Sequence, residues 1–236
     1  MTLAGEAYEL RSVVNLRDLG GLPTRTGRTA SGILLRSDAP YRGDAMPNIA
    51  DWPPATVVDL RDRAEGSGDA YVWPDEVEVI SHPVFTGARI DRSAERPLID
   101  VYRTVLDTAA HRVVEAIGNY SESGATVVHC AAGKDRTGIV VAVSLMVAGV
   151  DPDAIVADYQ RTEDAIGDVY RRMRERRKLF ADVQPDDQIL RTPRAAIDLV
   201  LETVDGAAGG ARGWFENHGG DLGRLERWLD RFTAAP

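Results

Sequence analysis

Ten consecutive residues constrain the fold of this chain more than any other stretch. They run from His129 to Gly138 and read His-Cys-Ala-Ala-Gly-Lys-Asp-Arg-Thr-Gly. A β-branched run at 125–128 precedes them, and an apolar run at 139–147, long enough for a buried helix, follows. The sequence therefore predicts a buried strand, a loop and the N-terminus of a buried helix.

The predicted loop has the composition of an oxyanion site. A helix N-terminus presents unpaired backbone N–H groups at the positive end of the helix dipole, and both features favour a bound phosphate. The same positive charge should stabilise a thiolate at Cys130, which is then a nucleophile. Five residues separate Cys130 from Arg136, enough to wrap one phosphate while the guanidinium binds two of its oxygens.

These considerations assign roles to individual residues. The predicted catalytic residues are Cys130, Asp135 and Arg136. The predicted phosphate-binding residues are Ala131, Ala132, Gly133, Lys134, Asp135 and Arg136. The predicted supporting residues are His129, Thr137, Asp59 and Arg61, with the Thr137 hydroxyl expected to bind the sulfur.

Three other interpretations of the motif fit its residues less well. A lone cysteine after an apolar strand is usually an inert buried residue, but here Gly, Arg and Thr accompany it. A nucleotide-binding P-loop needs glycine where Val128 stands and Ser or Thr where Asp135 stands. A thiol relay of the arsenate-reductase type needs further cysteines, and the chain has one.

The motif resembles the signature of cysteine-dependent phosphatases, and more closely that of bacterial tyrosine/dual-specificity protein phosphatases. Other matching segments lie between Asn15 and Lys178, namely 15–21, 35–37, 59–61 with Glu65, and 155–161. The resemblance implies an α/β fold with a central, mostly parallel sheet flanked by helices and a helical lid. It also implies a phosphocysteine intermediate and a general acid, for which Asp135 and Asp91 are the candidates.

The remaining chain predicts one domain over residues 1–236. Residues 56–60 read as a buried strand, after which Asp59 and Arg61 share a side and pair within a network that includes Glu65. We expect a scaffolding turn at 15–21 and an amphipathic helix from 99 to 120.

Three further helix starts are predicted from capping residues. They are Asp151-Pro152, with Asp158 and Arg161 on the polar face of that helix, Thr192-Pro193, and Asp221.

A basic segment at 170–178 carries six basic residues and one glutamate. It is interpreted either as a solvated helix face or as a basic lid helix over about 165–184 that attracts phosphoinositides or other anionic lipids.

Composition restricts the class of protein. The net charge of −9 argues against nucleic-acid binding, and the four scattered histidines lack metal-ligand spacing, so neither metal nor cofactor is expected. No apolar stretch reaches the length of a membrane span, and no signal segment is recognised. A cytoplasmic location is expected, although resembling proteins can be exported without a classical signal.

The leading hypothesis is a phosphatase acting on phosphotyrosine in proteins. The alternatives are a dual-specificity or phosphoinositide phosphatase, and a catalytically silent phosphate- or lipid-binding module. Lys134 adds charge of the kind found in lipid phosphatase loops, whereas Ala131 stands where those loops often carry a second lysine.

Overall fold

A five-stranded sheet forms the centre of the protein. The computed structural model describes residues 12–50, 52–66, 68–85, 97–179 and 182–234. The strands are β1 (Arg17–Asp18), β2 (Leu34–Ser37), β3 (Thr56–Asp59), β4 (Glu78–Ser81) and β5 (Thr126–His129). Their order is β1-β2-β5-β3-β4, with only the β1–β2 pair antiparallel. The predicted mostly parallel sheet is confirmed, but β1 lies where a turn was expected.

The described chain also contains nine α-helices. They are α1 (Arg63–Gly66), α2 (Pro97–Thr108), α3 (Ala110–Gly118), α4 (Asp135–Val147), α5 (Pro152–Gln160), α6 (Thr162–Glu175), α7 (Arg194–Asp205), α8 (Gly210–Asn217) and α9 (Leu222–Phe232). A 3₁₀ turn spans Gln188–Leu190.

The helix predictions were right in most places. The single helix expected over 99–120 is interrupted at Ala109 and forms α2 and α3. The side chains of Asp151 and Asp221 cap α5 and α9 as predicted. Thr192 was wrongly taken as a cap, because α7 begins after Pro193 without a side-chain cap.

The buried helix predicted after the motif is α4. Its residues 137–145 are all buried, and it packs on α3, α5, α7 and α8 as well as on the sheet. On that face the sheet contributes Leu34, Val58 and Val128 to the main core. A smaller cluster on Leu35 and Val127 includes Leu16 and Trp52. Among the described helices, none combines the length and apolar character needed to cross a membrane.

Parallel register brings three strand ends together. His129 at the end of β5 pairs with Ser37 of β2 on one side and with Asp59 of β3 on the other. The residue that follows, Cys130, therefore lies at the carboxyl edge of the sheet, where open α/β sheets bind ligands.

A buried ionic cluster joins β1, β2 and α5 beside this edge. Asp158 accepts from Arg17 Nε at 2.7 Å and from Arg36 Nη1 at 2.6 Å, and all three side chains are at least 93% buried. The prediction that Asp158 lies on the polar face of its helix is therefore wrong, although Arg161 is exposed. Burial alone would raise the pKa of Asp158, but the two guanidinium groups outweigh burial and lower it.

We predict that Asp158→Asn lowers the free energy of unfolding at pH 7 by about 3–5 kcal/mol, because two buried cations lose their counter-charge. Since folding lowers the pKa of Asp158, its stabilisation is complete above the unfolded value of about 3.9 and is lost as the pH falls through the folded value. Urea unfolding between pH 7 and about pH 2 should show the deficit of the variant shrinking in acid.

The control is Asp198→Asn, which breaks an exposed pair with Arg194. It should change stability little at any pH, because exposed pairs contribute little. A deficit for Asp158→Asn that stays constant down to pH 2 would contradict an ionised Asp158 in the folded protein.

Candidate active site

Cys130 begins the loop that connects β5 to α4, and its side chain is buried. We call residues Cys130–Arg136 the Cys130 loop. Helix α4 starts at Asp135, and no side chain caps its N-terminus. The first-turn N–H groups and the positive end of the helix dipole therefore lie beside the cysteine.

Carbonyl groups of the Cys130 loop are bound by the surrounding scaffold. Ala131 O accepts from the Ala39 N–H at 3.1 Å. Asn15 Nδ2 donates to Ala132 O at 3.0 Å and to Gly133 O at 3.3 Å. Arg36 Nη2 donates to Gly133 O at 2.8 Å. These contacts support the scaffolding role expected for the segment around Asn15.

Gly133 is required by the shape of this loop. Its φ is +66°, a region that residues with a side chain rarely adopt. A Cβ added here would lie 2.3 Å from Ser37 O and 2.7 Å from Asp38 N. The end of β2 therefore packs closely against the loop, and a side chain at position 133 would force one of the two backbones to move.

Arg136 is held in place by Glu65. Its Nη1 and Nη2 donate to the two carboxylate oxygens at 2.5 and 2.8 Å. Among the described residues nothing binds its Nε, so the Nε edge is open to a further ligand. Burial disfavours the charged guanidinium, but the Glu65 bonds and the nearby Cys130 and Asp135 outweigh burial and raise the pKa of Arg136.

The expected supporting residues lie together, with a different pairing from the one predicted. Arg61 donates Nε and Nη2 to Asp59 at 2.9 and 2.7 Å, while Glu65 binds Arg136 instead of joining this pair. His129 Nδ1 lies 3.3 Å from Cys130 O and 3.8 Å from Asp59 Oδ1. Burial lowers the pKa of His129 more than Asp59 raises it, which favours a neutral ring.

Asp135 is fixed through one of its oxygens. Its Oδ1 accepts from Lys134 Nζ at 2.7 Å and from the Tyr102 hydroxyl at 3.3 Å. The Tyr102 hydroxyl also lies 2.9 Å from that of Tyr159, and its single proton can be donated to only one of the two oxygens at a time. Burial raises the pKa of Tyr102 well above its usual value, so Tyr102 keeps this proton. Lys134 Nζ also donates to Arg191 O at 3.0 Å. Lys134 is thus buried against Asp135, while Asp135 Oδ2 receives no hydrogen bond from the described residues.

Two expectations for the site have different outcomes. The Thr137 hydroxyl is buried without a hydrogen-bond partner in the described part of the chain, so its expected bond to the sulfur is not formed. Asp91, the alternative general acid, lies outside the described residues.

The basic segment at 170–178 forms ion pairs with residues at the edge of the site. Arg172 is 1% exposed and binds Asp38 and Asp44, and Arg176 binds Asp44 and Asp69. The Tyr41 ring lies within 6 Å of four cationic groups, those of Arg61, Arg172, Arg176 and Lys178. At least two of the six basic residues of this segment are therefore paired with aspartates of the protein. The mobile lid stays a prediction.

Sequence reasoning missed several residues that shape the site. These are Arg36, Glu65, Tyr102, Asp158 and Tyr159 in the roles described above. Arg36 had a visible signal, since it is a charged residue in a strand with buried neighbours on both sides. The partner of Glu65, 71 residues away, had none.

Comparison with known proteins identifies the class. A model of the tyrosine phosphatase family matches residues 8–234, and the chain belongs to this family.

Its relatives include the triple specificity protein phosphatase PtpB of Mycobacterium tuberculosis, which is 30% identical over 147 residues, 55% of this chain and 52% of that protein. A second relative, from Cupriavidus necator, is 29% identical over 163 residues, 63% of this chain and 60% of that protein. The chain thus matches between half and two thirds of the length of these relatives. The crystal structure of P. aeruginosa TpbA has 22% identity and a TM-score of 0.32, and covers 67% of this chain and 84% of that chain.

We predict that Gly133→Ala weakens binding of an oxyanion such as vanadate by at least ~10-fold, because the loop must shift to relieve the contact with the Ser37 backbone. Isothermal titration with vanadate measures this change. The matched control is Gly149→Ala, since Gly149 also has a positive φ, +70°, but an added Cβ meets nothing within 4 Å. Equal vanadate affinities in the two variants would show that the close fit of the loop is unimportant.

Proposed function

We propose that this protein hydrolyses phosphotyrosine in proteins through a phosphocysteine intermediate. The observation that carries the proposal is the juxtaposition of Cys130, the uncapped N-terminus of α4 and an Arg136 whose Nε edge is open. Membership of the tyrosine phosphatase family supports the same chemistry. In this proposal, the loop from Ala131 to Arg136 binds the phosphate.

In the first step, the Cys130 thiolate attacks phosphorus in line with the leaving oxygen. The new S–P bond forms as the P–O bond to the phenol breaks. Backbone N–H groups of the loop and Arg136 stabilise the charge on the equatorial oxygens. Glu65 occupies the Nη1/Nη2 edge, so the phosphate binds Nε and the remaining N–H beside it.

Asp135 supplies the proton to the departing phenolate. Because Lys134 and Tyr102 both bind Oδ1, the proton is carried by Oδ2. In the second step, Asp135 accepts a proton from water as the water oxygen attacks phosphorus. The S–P bond breaks, and the products are inorganic phosphate and the regenerated thiolate.

Two observations bear on which substrate class the protein prefers. The name of the mycobacterial relative refers to triple specificity. An attraction to anionic lipids has less support, since Arg172 and Arg176 are paired with aspartates. We therefore rank phosphotyrosine first, and parallel assays on phosphotyrosine peptide, phosphoserine peptide and phosphoinositide test the ranking.

Cys130→Ser should reduce turnover of p-nitrophenyl phosphate at least ~100-fold while substrate binding persists, because an alcohol stays protonated where a thiol ionises. Steady-state kinetics measure turnover, and calorimetric titration measures binding. Substantial activity in the variant would remove Cys130 from its role. A wild-type protein without turnover in excess chelator would instead favour the silent binding module.

Asp135→Asn should slow a phosphate ester with a poor leaving group by ~10²-fold and one with a good leaving group only a few-fold, because only the former needs the proton. Comparing phenyl phosphate with p-nitrophenyl phosphate tests this. The control is Asp153→Asn, an exposed acid in the first turn of α5, which should affect neither. Equal losses on both substrates in Asp135→Asn would make Asp135 structural.

A further inference from the structure

Two successive carbonyl groups of the Cys130 loop accept hydrogen bonds from buried side chains. Asn15 Nδ2 binds the carbonyls of Ala132 and Gly133, and Arg36 Nη2 binds that of Gly133 again. Both donors are buried, with Asn15 3% and Arg36 1% exposed. Two peptide groups of the loop are therefore held by side chains from the far N-terminal part of the fold.

Because the peptide group is planar, these carbonyl contacts also fix the direction of the N–H group in each peptide. In a trans peptide the C=O and the N–H of the next residue point in opposite directions. The carbonyl of Ala132 belongs to the same peptide as the Gly133 N–H, and that of Gly133 to the same peptide as the Lys134 N–H. With their carbonyls turned toward Asn15 and Arg36, these two N–H groups point away from the buried cluster.

The orientation of Asn15 is itself fixed. Its Oδ1 accepts from Arg17 Nη1 at 2.5 Å, so its Nδ2 must be the atom that faces the loop. Arg17 and Arg36 in turn share the carboxylate of Asp158. The four side chains form one connected cluster of two cations, one anion and one amide. Its net positive charge lies beneath the loop and favours an anion above it.

We propose that Asn15 and Arg36 are positioning residues that aim the Gly133 and Lys134 N–H groups at the bound phosphate, with Arg17 and Asp158 fixing their orientation. This inference rests on the proposed phosphatase function and assigns these four residues to it. It goes beyond scaffolding, because a scaffold residue affects folding alone, whereas these residues set the affinity of the folded loop for an oxyanion.

The test is vanadate binding by Asn15→Leu, which is close to Asn in size and uncharged but lacks the donor. We expect the dissociation constant of vanadate to rise roughly tenfold or more, since two amide donors to a charged ligand lose their alignment. The measurement is made well below the unfolding temperature of the variant, by calorimetry. Asn15→Ser, which leaves space in place of an apolar side chain, serves if the leucine variant does not fold.

The matched control is Thr29→Val, in the same N-terminal part of the fold. Thr29 is 4% exposed, and its hydroxyl donates to Leu19 O and accepts from the Leu22 N–H without touching the loop. This variant should lose stability but keep the vanadate affinity of the wild type.

Wild-type affinity in a folded Asn15 variant would overturn the inference, as would an equal loss of affinity in Thr29→Val. Failure of the wild-type protein to bind vanadate would overturn the proposed function and this inference with it.

Discussion

One buried carboxylate shared by two buried arginines holds the site together. Asp158, Arg17 and Arg36 come from α5, β1 and β2, up to 141 residues apart in sequence. A charge in the interior is strongly unfavourable without a partner, so none of these elements can take its place alone. Once they meet, Arg36 still has a donor left, and that donor reaches the Cys130 loop. The geometry of the loop thus depends on an ion cluster beneath it.

The elements that depend on neighbouring residues alone were predicted correctly from the sequence. The β-branched runs at β3 and β5, the buried α4 and the caps Asp151 and Asp221 follow from periodicity and turn chemistry, and they are present. Helix α8 was not predicted, because it starts in a glycine-rich stretch and is stabilised by burying Trp214 and Phe215.

Partners remote in sequence were beyond such reasoning. A helix containing Asp158 beside other polar residues indicates a solvated face, and only the tertiary position of two arginines reverses that interpretation. In the same way, Glu65 was placed near Asp59 by sequence proximity, whereas the structure gives it to Arg136. The Cys130 loop itself was recognisable because its chemistry is concentrated in consecutive residues.

A count of charges along the chain leaves out the partners of those charges. Six basic residues in 170–178 suggest an attractive surface for anions, yet Asp38, Asp44 and Asp69 bind two of them at the edge of the sheet. Lys178 Nζ also lies 3.4 Å from the backbone oxygen of Glu65, the residue whose side chain binds Arg136. Helix α6 and the residues after it therefore brace the wall of the site.

Helix α4 is buried on nearly every side, so the residues it carries are more constrained than the exposed residues around the site. The helix carries Arg136 in its first turn and is enclosed by the sheet and four other helices, so the reacting groups cannot be moved without disturbing the core. Exposed residues of the neighbouring segments, such as Arg42, Met46 and Arg63, have no such restriction. On the proposed function, changes at such exposed positions alter which phosphorylated partner is accepted without moving Cys130 or Arg136.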